Sequence, residues 1–99
     1  MEEVVGSIPT RSTKIFHVFF VYIIQSQATH RFYIGCAADP QERLIEHNRG
    51  QTQSTRNRGP WDLMYTEPFE TLAEARRREF QLKKWKSHRS IAELIAQQT

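Results

Sequence analysis

The sequence has little of what many small-protein sites are made from. A single cysteine, Cys36, in 99 residues excludes an internal disulfide and a cysteine-rich metal cage, and it suits a reducing, cytoplasmic setting. The four glycines, Gly6, Gly35, Gly50 and Gly59, are scattered, so no glycine-rich phosphate loop is present. His17, His30, His47 and His88 show no zinc-ligand spacing, and no nucleophile elbow marks a serine. No apolar run approaches the roughly 20 residues of a membrane span; the longest, Val18 to Ile24, is strand-sized. Met1 to Lys14 lack the basic start and apolar stretch of a secretory leader. They are expected to be a flexible tail (1–14) ahead of one domain over 15–97.

What is present is a soluble composition with unevenly spread charge. A domain of this length buries only about two-thirds of its unfolded surface, so any site lies on the surface or in a shallow cleft. The formal net charge is +3, yet Arg76 to Arg89 holds seven Lys or Arg against one acid, Glu79. Arg49, Arg56 and Arg58 add a second basic group in a stretch rich in Gly, Ser, Thr, Asn and Gln. Phosphates respond to local field rather than to total charge. A solvated helix face explains such a run equally well.

Phe16 to Ile24 predicts a central strand, apolar on both faces. The short polar connector Gln25 to His30 then favours antiparallel pairing with a strand over Arg31 to Cys36. Asp39, Pro40 and Glu42 form a helix start, with Gly50 as the stop. Gln51 to Pro60 reads as loop and Trp61 to Thr66 as a third strand. Thr71 with Glu74 opens a helix to about Lys86, and Ser90 with Glu93 opens a last one over Ile91 to Ala96. The expected fold is α+β: a small, mainly antiparallel three-stranded sheet flanked by three helices, in the order β-β-α-β-α-α.

Several polar residues sit where packing alone does not explain them. Leu72, Ala75, Glu79 and Leu82 share one helical stripe. Glu79 is its misfit, because burying a carboxylate demands a cation, hydrogen bonds or a metal. A salt bridge to Arg76 or Lys83 is the plain alternative. Arg43 and His47, four apart, share a stripe beside the Leu44/Ile45 face. Tyr22 and Tyr33 come from adjacent strands, where packing is the default role for tyrosine. Gly35 interrupts a strand pattern, which often marks a close backbone approach.

In order, Phe20-Val21-Tyr22, Tyr33-Ile34-Gly35, Arg43, His47-Asn48, Arg58-Gly59-Pro60-Trp61, Arg78-Glu79 and Leu82-Lys83-Lys84-Trp85-Lys86 resemble the GIY-YIG nuclease family, in particular its small stand-alone bacterial members. The resemblance spans about Phe16 to Ile95. It departs from the pattern at Phe20, where the first motif has glycine, and at Cys36, where DNA-repair members have lysine. It implies that Glu79 is the ligand of one divalent ion, Mg²⁺ or Mn²⁺, and that Arg43 contacts the scissile phosphate. It implies Tyr33 as acceptor or positioner for the attacking water, with His47 helping or replacing it, and Tyr22 as an orienting hydroxyl. A phenol near pKa 10 is a poor base at neutral pH, so the choice between Tyr33 and His47 stays open.

The expected function is a metal-dependent DNA endonuclease in repair or processing, acting on DNA that includes branched or structured forms. Arg49, Arg56, Arg58, Arg78, Lys83, Lys84 and Lys86 are its expected phosphate contacts, which position rather than specify. A protein partner would supply substrate choice. The competing readings are a nucleic-acid-binding module of the same fold with little cleavage, and a protein-interaction domain.

Overall fold

The computed structural model describes residues 18–53 and 55–98. The expected tail, and the strand residues Phe16 and His17, lie outside the described residues. Within them the order is β1 (Phe19–Ser26), β2 (Phe32–Ala37), α1 (Pro40–Asn48), β3 (Trp61–Phe69), α2 (Leu72–Trp85) and α3 (His88–Gln98). The strands form one sheet in the order β2-β1-β3, with both pairings antiparallel.

β1 is central, which is why its apolar residues have no polar face to alternate with. Val21 and Ile23 join Ile34, Tyr65, Ala75, Leu82 and Ile91 in a core beneath α2 and α3. Tyr22 and Ile24 point the other way and pack with Trp61, Tyr33, Leu44 and Leu63 beneath α1. Each face of a strand therefore serves a different helix layer.

The helix starts are side-chain caps. Asp39 accepts the Glu42 N–H at 3.2 Å and Thr71 accepts the Glu74 N–H at 3.2 Å. Gly50 follows α1 with φ +76° and returns its N–H to the His47 carbonyl at 3.1 Å. α2 ends where Lys86 turns left-handed at φ 51°.

Two boundaries and one burial differ from the sequence expectation by more than a residue or two. β3 continues past Thr66 through Pro68 to Phe69; a proline is tolerated there because β3 is an edge strand. α3 begins at His88 rather than Ile91, because Ser87 and not Ser90 is the cap, accepting the Ser90 N–H at 3.2 Å. Glu93 is taken instead by Arg89 at 3.3 Å. Leu72, at the first helical position of α2, is exposed, whereas Ala75 and Leu82 further along its stripe are buried.

Candidate active site

The site grows from one bare stretch of backbone. Tyr22 on β1 pairs across the sheet with Gly35 on β2, and Ile24 with Tyr33. Both tyrosines thus rise on the α1 face, with ring centroids 6.5 Å apart. The Tyr22 ring lies over Gly35: a Cβ built there would stand 2.6 Å from the Tyr22 hydroxyl oxygen and 2.7 Å from its ring. The glycine is the close approach that the broken strand pattern announces. Gly35→Ala should push Tyr22 aside at a cost of about 1–3 kcal/mol. Thermal unfolding should fall by at least about 4 °C for a domain of this size; an unchanged melting temperature would show that the ring relaxes freely.

α1 lays Arg43 and His47 over this face. His47 is only 2% exposed, and both ring nitrogens have partners. Nε2 lies 2.9 Å from the Tyr22 hydroxyl and Nδ1 lies 2.8 Å from the Thr55 hydroxyl. Thr55 donates its own proton to the Thr52 carbonyl at 3.3 Å, so it accepts from Nδ1–H. That leaves Nε2 as the acceptor of the Tyr22 proton. Burial and the nearby Arg43 charge lower the His47 pKa, Glu46 opposing them, so the ring is neutral at pH 7. The Tyr33 ring meets it edge-on at 4.9 Å.

Thr55 is a member of this cluster that sequence reasoning missed. It lies in a loop without periodicity, and what buries it comes from the flanking elements α1 and β3. Asn48 receives the Trp61 N–H at 2.7 Å and donates to the Trp61 carbonyl at 3.1 Å, while the Trp61 indole donates to the Thr55 carbonyl at 3.2 Å. No sequence signal marks Thr55, because the Asn48–Trp61 pairing that closes the loop over it forms only in the fold.

Arg43 pairs with Glu46 one turn on. The Tyr22 hydroxyl holds its guanidinium charge firmly, against partial burial, with Glu46 adding to the effect. Burial outweighs Arg43 at Tyr22 and raises the phenol pKa, so Tyr22 keeps its proton for His47. The Arg43 side chain is 36% exposed, leaving guanidinium surface for a ligand.

Glu79 arrives from the opposite layer. Strand alternation turns Ile34 and Cys36 toward α2, and the Cys36 thiol donates to Glu79 Oε1 at 2.9 Å. Lys83 donates to Oε2 at 2.7 Å, the plain salt bridge that the stripe allows. Burial raises the Glu79 pKa, but the Cys36 and Lys83 hydrogen bonds and the Lys83 and Arg76 charges prevail and lower it. Burial and the bond to Glu79 push the Cys36 thiol up to about 12, so it is a donor and not a thiolate. The Glu79 charge is also felt at the Tyr22 hydroxyl. The two half-sites converge on the β2 edge at Gly35 and Cys36.

No group of three or more His, Cys, Asp and Glu that would hold a metal occurs among the described residues. Glu79 is the carboxylate that reaches the β2 edge at Cys36. A hydrated Mg²⁺ fits such a donor, because that ion keeps most of its waters and takes one or two carboxylates. Its charged, 21%-exposed carboxylate is reachable, and the Lys83 that covers it is itself 50% exposed.

The expected phosphate contacts divide. Arg49, Arg58, Lys84 and Lys86 are exposed, and Lys84 rests 4.6 Å over the Phe80 ring. Arg56 donates to the Gly50 carbonyl at 2.9 Å while staying exposed. Arg78 is taken up within the fold by Glu67 at 3.1 Å and Gln81 at 2.7 Å, beside the Trp85 ring.

Central β1 and edge strand β2 carry the two tyrosine motifs, and the helices on either face bring Arg43, His47 and Glu79 toward them, which defines a small α+β domain with its polar cluster at one sheet edge. The chain belongs to the GIY-YIG family: the family model described as the GIY-YIG catalytic domain matches residues 18–92. It is similar to a UPF0213 protein of Staphylococcus saprophyticus, 34% identical over 73 residues, covering 73% of this chain and 88% of that one. A UPF0213 protein of Halobacterium salinarum is 43% identical over 65 residues, covering 64% of this chain and 82% of the relative. The solution NMR structure of the UPF0213 protein BH0048 from Bacillus halodurans matches with a TM-score of 0.50 at 31% identity, covering 80% of this chain and 83% of that one.

Proposed function

We propose that this protein is a metal-dependent DNA endonuclease that hydrolyses phosphodiester bonds in DNA repair or processing. The observation that carries the reading is Arg43 beside the buried Tyr22–His47 pair, with the charged Glu79 approaching the same strand edge from the other layer.

Exposure supports one division of the work. Tyr22 is 1% and His47 2% exposed, and the His47 lone pair is already spent on Tyr22. Neither is free to meet a water molecule, so both are positioning residues that fix Arg43 and the floor of the site. Tyr33 is only partly buried, and its hydroxyl is the one that orients the attacking water. Arg43 stabilises the charge that builds on the phosphate oxygens. Glu79 would hold Mg²⁺ or Mn²⁺, which supplies charge neutralisation and a more acidic water when bound. Arg49, Arg56, Arg58, Lys83, Lys84 and Lys86 supply backbone affinity, and a protein partner supplies substrate choice.

Purified protein should nick supercoiled plasmid in the presence of Mg²⁺ or Mn²⁺ and stop when EDTA is added. The engagement of both Glu79 oxygens by Cys36 and Lys83 favours a second reading, a nucleic-acid-binding module that does not cut. DNA retention that weakens with salt, without nicking on any plasmid or branched substrate, would select that module over the nuclease.

A further inference from the structure

A second basic surface opens beside the catalytic cluster. Between β2 and the junction of α2 with α3 lies a groove of about 520 Å³ whose lining among the described residues includes Arg31, Tyr33, Lys83, Lys86 and His88 and no acidic side chain. Arg31, Lys86 and His88 are exposed. Phe32 stacks on the His88 ring at 4.5 Å and 26°, holding it against the groove wall. Two lining residues tie the groove to the candidate active site: Tyr33 meets His47 edge-on, and Lys83 is bonded to Glu79. The groove therefore runs along the β2 edge on the Glu79 side of the sheet, with Tyr33 at its border with the Arg43 side.

We propose that this groove is a separate subsite for backbone phosphates of the nucleic-acid strand that flank the one at Arg43, with Arg31 and Lys86 as its main contacts. The inference rests on the nuclease reading for its orientation and on the groove's own charge for its ligand. Phosphates follow one another every 3.4 Å of rise along one strand, so a strand held at Arg43 and Tyr33 carries its neighbours directly into a cleft beside them. A cleft lined with one sign of charge focuses field and raises the local concentration of the opposite sign. Lys83, already shared with Glu79, serves the boundary between the two subsites.

The test is a double variant, Arg31→Gln with Lys86→Asn, asparagine being chosen because it tolerates the left-handed backbone at position 86. Binding of a fluorescent duplex oligonucleotide is followed by anisotropy across a salt series. Loss of two phosphate contacts should flatten the slope of log K against log salt by about 1.8 and weaken binding roughly 10–100-fold at 0.1 M salt. Arg77→Gln with Arg89→Gln removes the same charge from exposed positions outside the groove lining and should change the slope much less. Equal losses in both doubles, or no loss in the groove double, would overturn the subsite. Hydrolysis by the wild-type protein of bis(p-nitrophenyl) phosphate, a diester with no flanking phosphate, reads the reaction apart from the groove. If the wild-type protein does not hydrolyse that diester or nick plasmid, the nuclease reading fails while the salt slopes still decide the groove.

Discussion

Glu79→Gln should bring metal-dependent nicking down to background, a loss of at least about a hundredfold to a thousandfold, as for other groups that face transition-state charge. The amide keeps an oxygen to accept from Lys83 or Cys36, and the ion pair it removes is half-exposed on its lysine side. Such a pair contributes at most about 1 kcal/mol to stability, so the variant should fold. Its DNA retention should be equal or slightly stronger, because a carboxylate leaves a basic helix. Nicking rates measured against Mg²⁺ concentration make the case: wild type saturates, and the variant shows no response at any concentration. A variant that cuts normally would remove Glu79 from the metal site, and the carboxylate would then be no more than the counter-ion of Lys83 and the acceptor for Cys36.

Arg43→Ala should slow cleavage by about two to three orders of magnitude, with a much smaller change in the DNA concentration needed for half-saturation. Arg43 is one of several cations for binding, but the one cation that the Tyr22 hydroxyl and Glu46 hold in place beside the cluster. Arg43→Lys should restore only part of the rate, since a point charge lacks the planar fork that meets two phosphate oxygens at once. Full rescue by lysine would reduce the role to bulk charge. A loss confined to affinity would move Arg43 from the reaction to the binding surface. Single-turnover rates at saturating protein separate these outcomes.

Much of this arrangement is legible in the sequence, and the reasons are local. Asp39-Pro40 and Thr71 declare helix starts because capping is a short-range hydrogen bond. Glu79 stands out because Ala75 and Leu82 are buried on its stripe. What pairs across the sheet is harder to read. Spacing does not tell that Tyr22 faces Gly35, and only that register explains why position 35 has no side chain. Thr55 is less legible still, as its partners His47 and Trp61 reach it from different elements. The start of α3 was missed for a different reason. Ser87 and Ser90 are both plausible caps, and the sequence offers no rule for choosing between neighbours one turn apart. Arg78 looks like one more cation in a basic run, and only the fold reveals Glu67 on the neighbouring strand.

The site takes Tyr22, Tyr33, Arg43 and His47 from one side of the sheet and Glu79 from the other, with a three-stranded sheet between the two layers. Neither helix layer can dock usefully until β1 and β2 are paired, and neither alone assembles a complete set of groups. On the nuclease reading, a partly folded chain holding only one layer lacks part of the set that cutting needs. Completing the fold and completing the site are therefore, on that reading, one cooperative step.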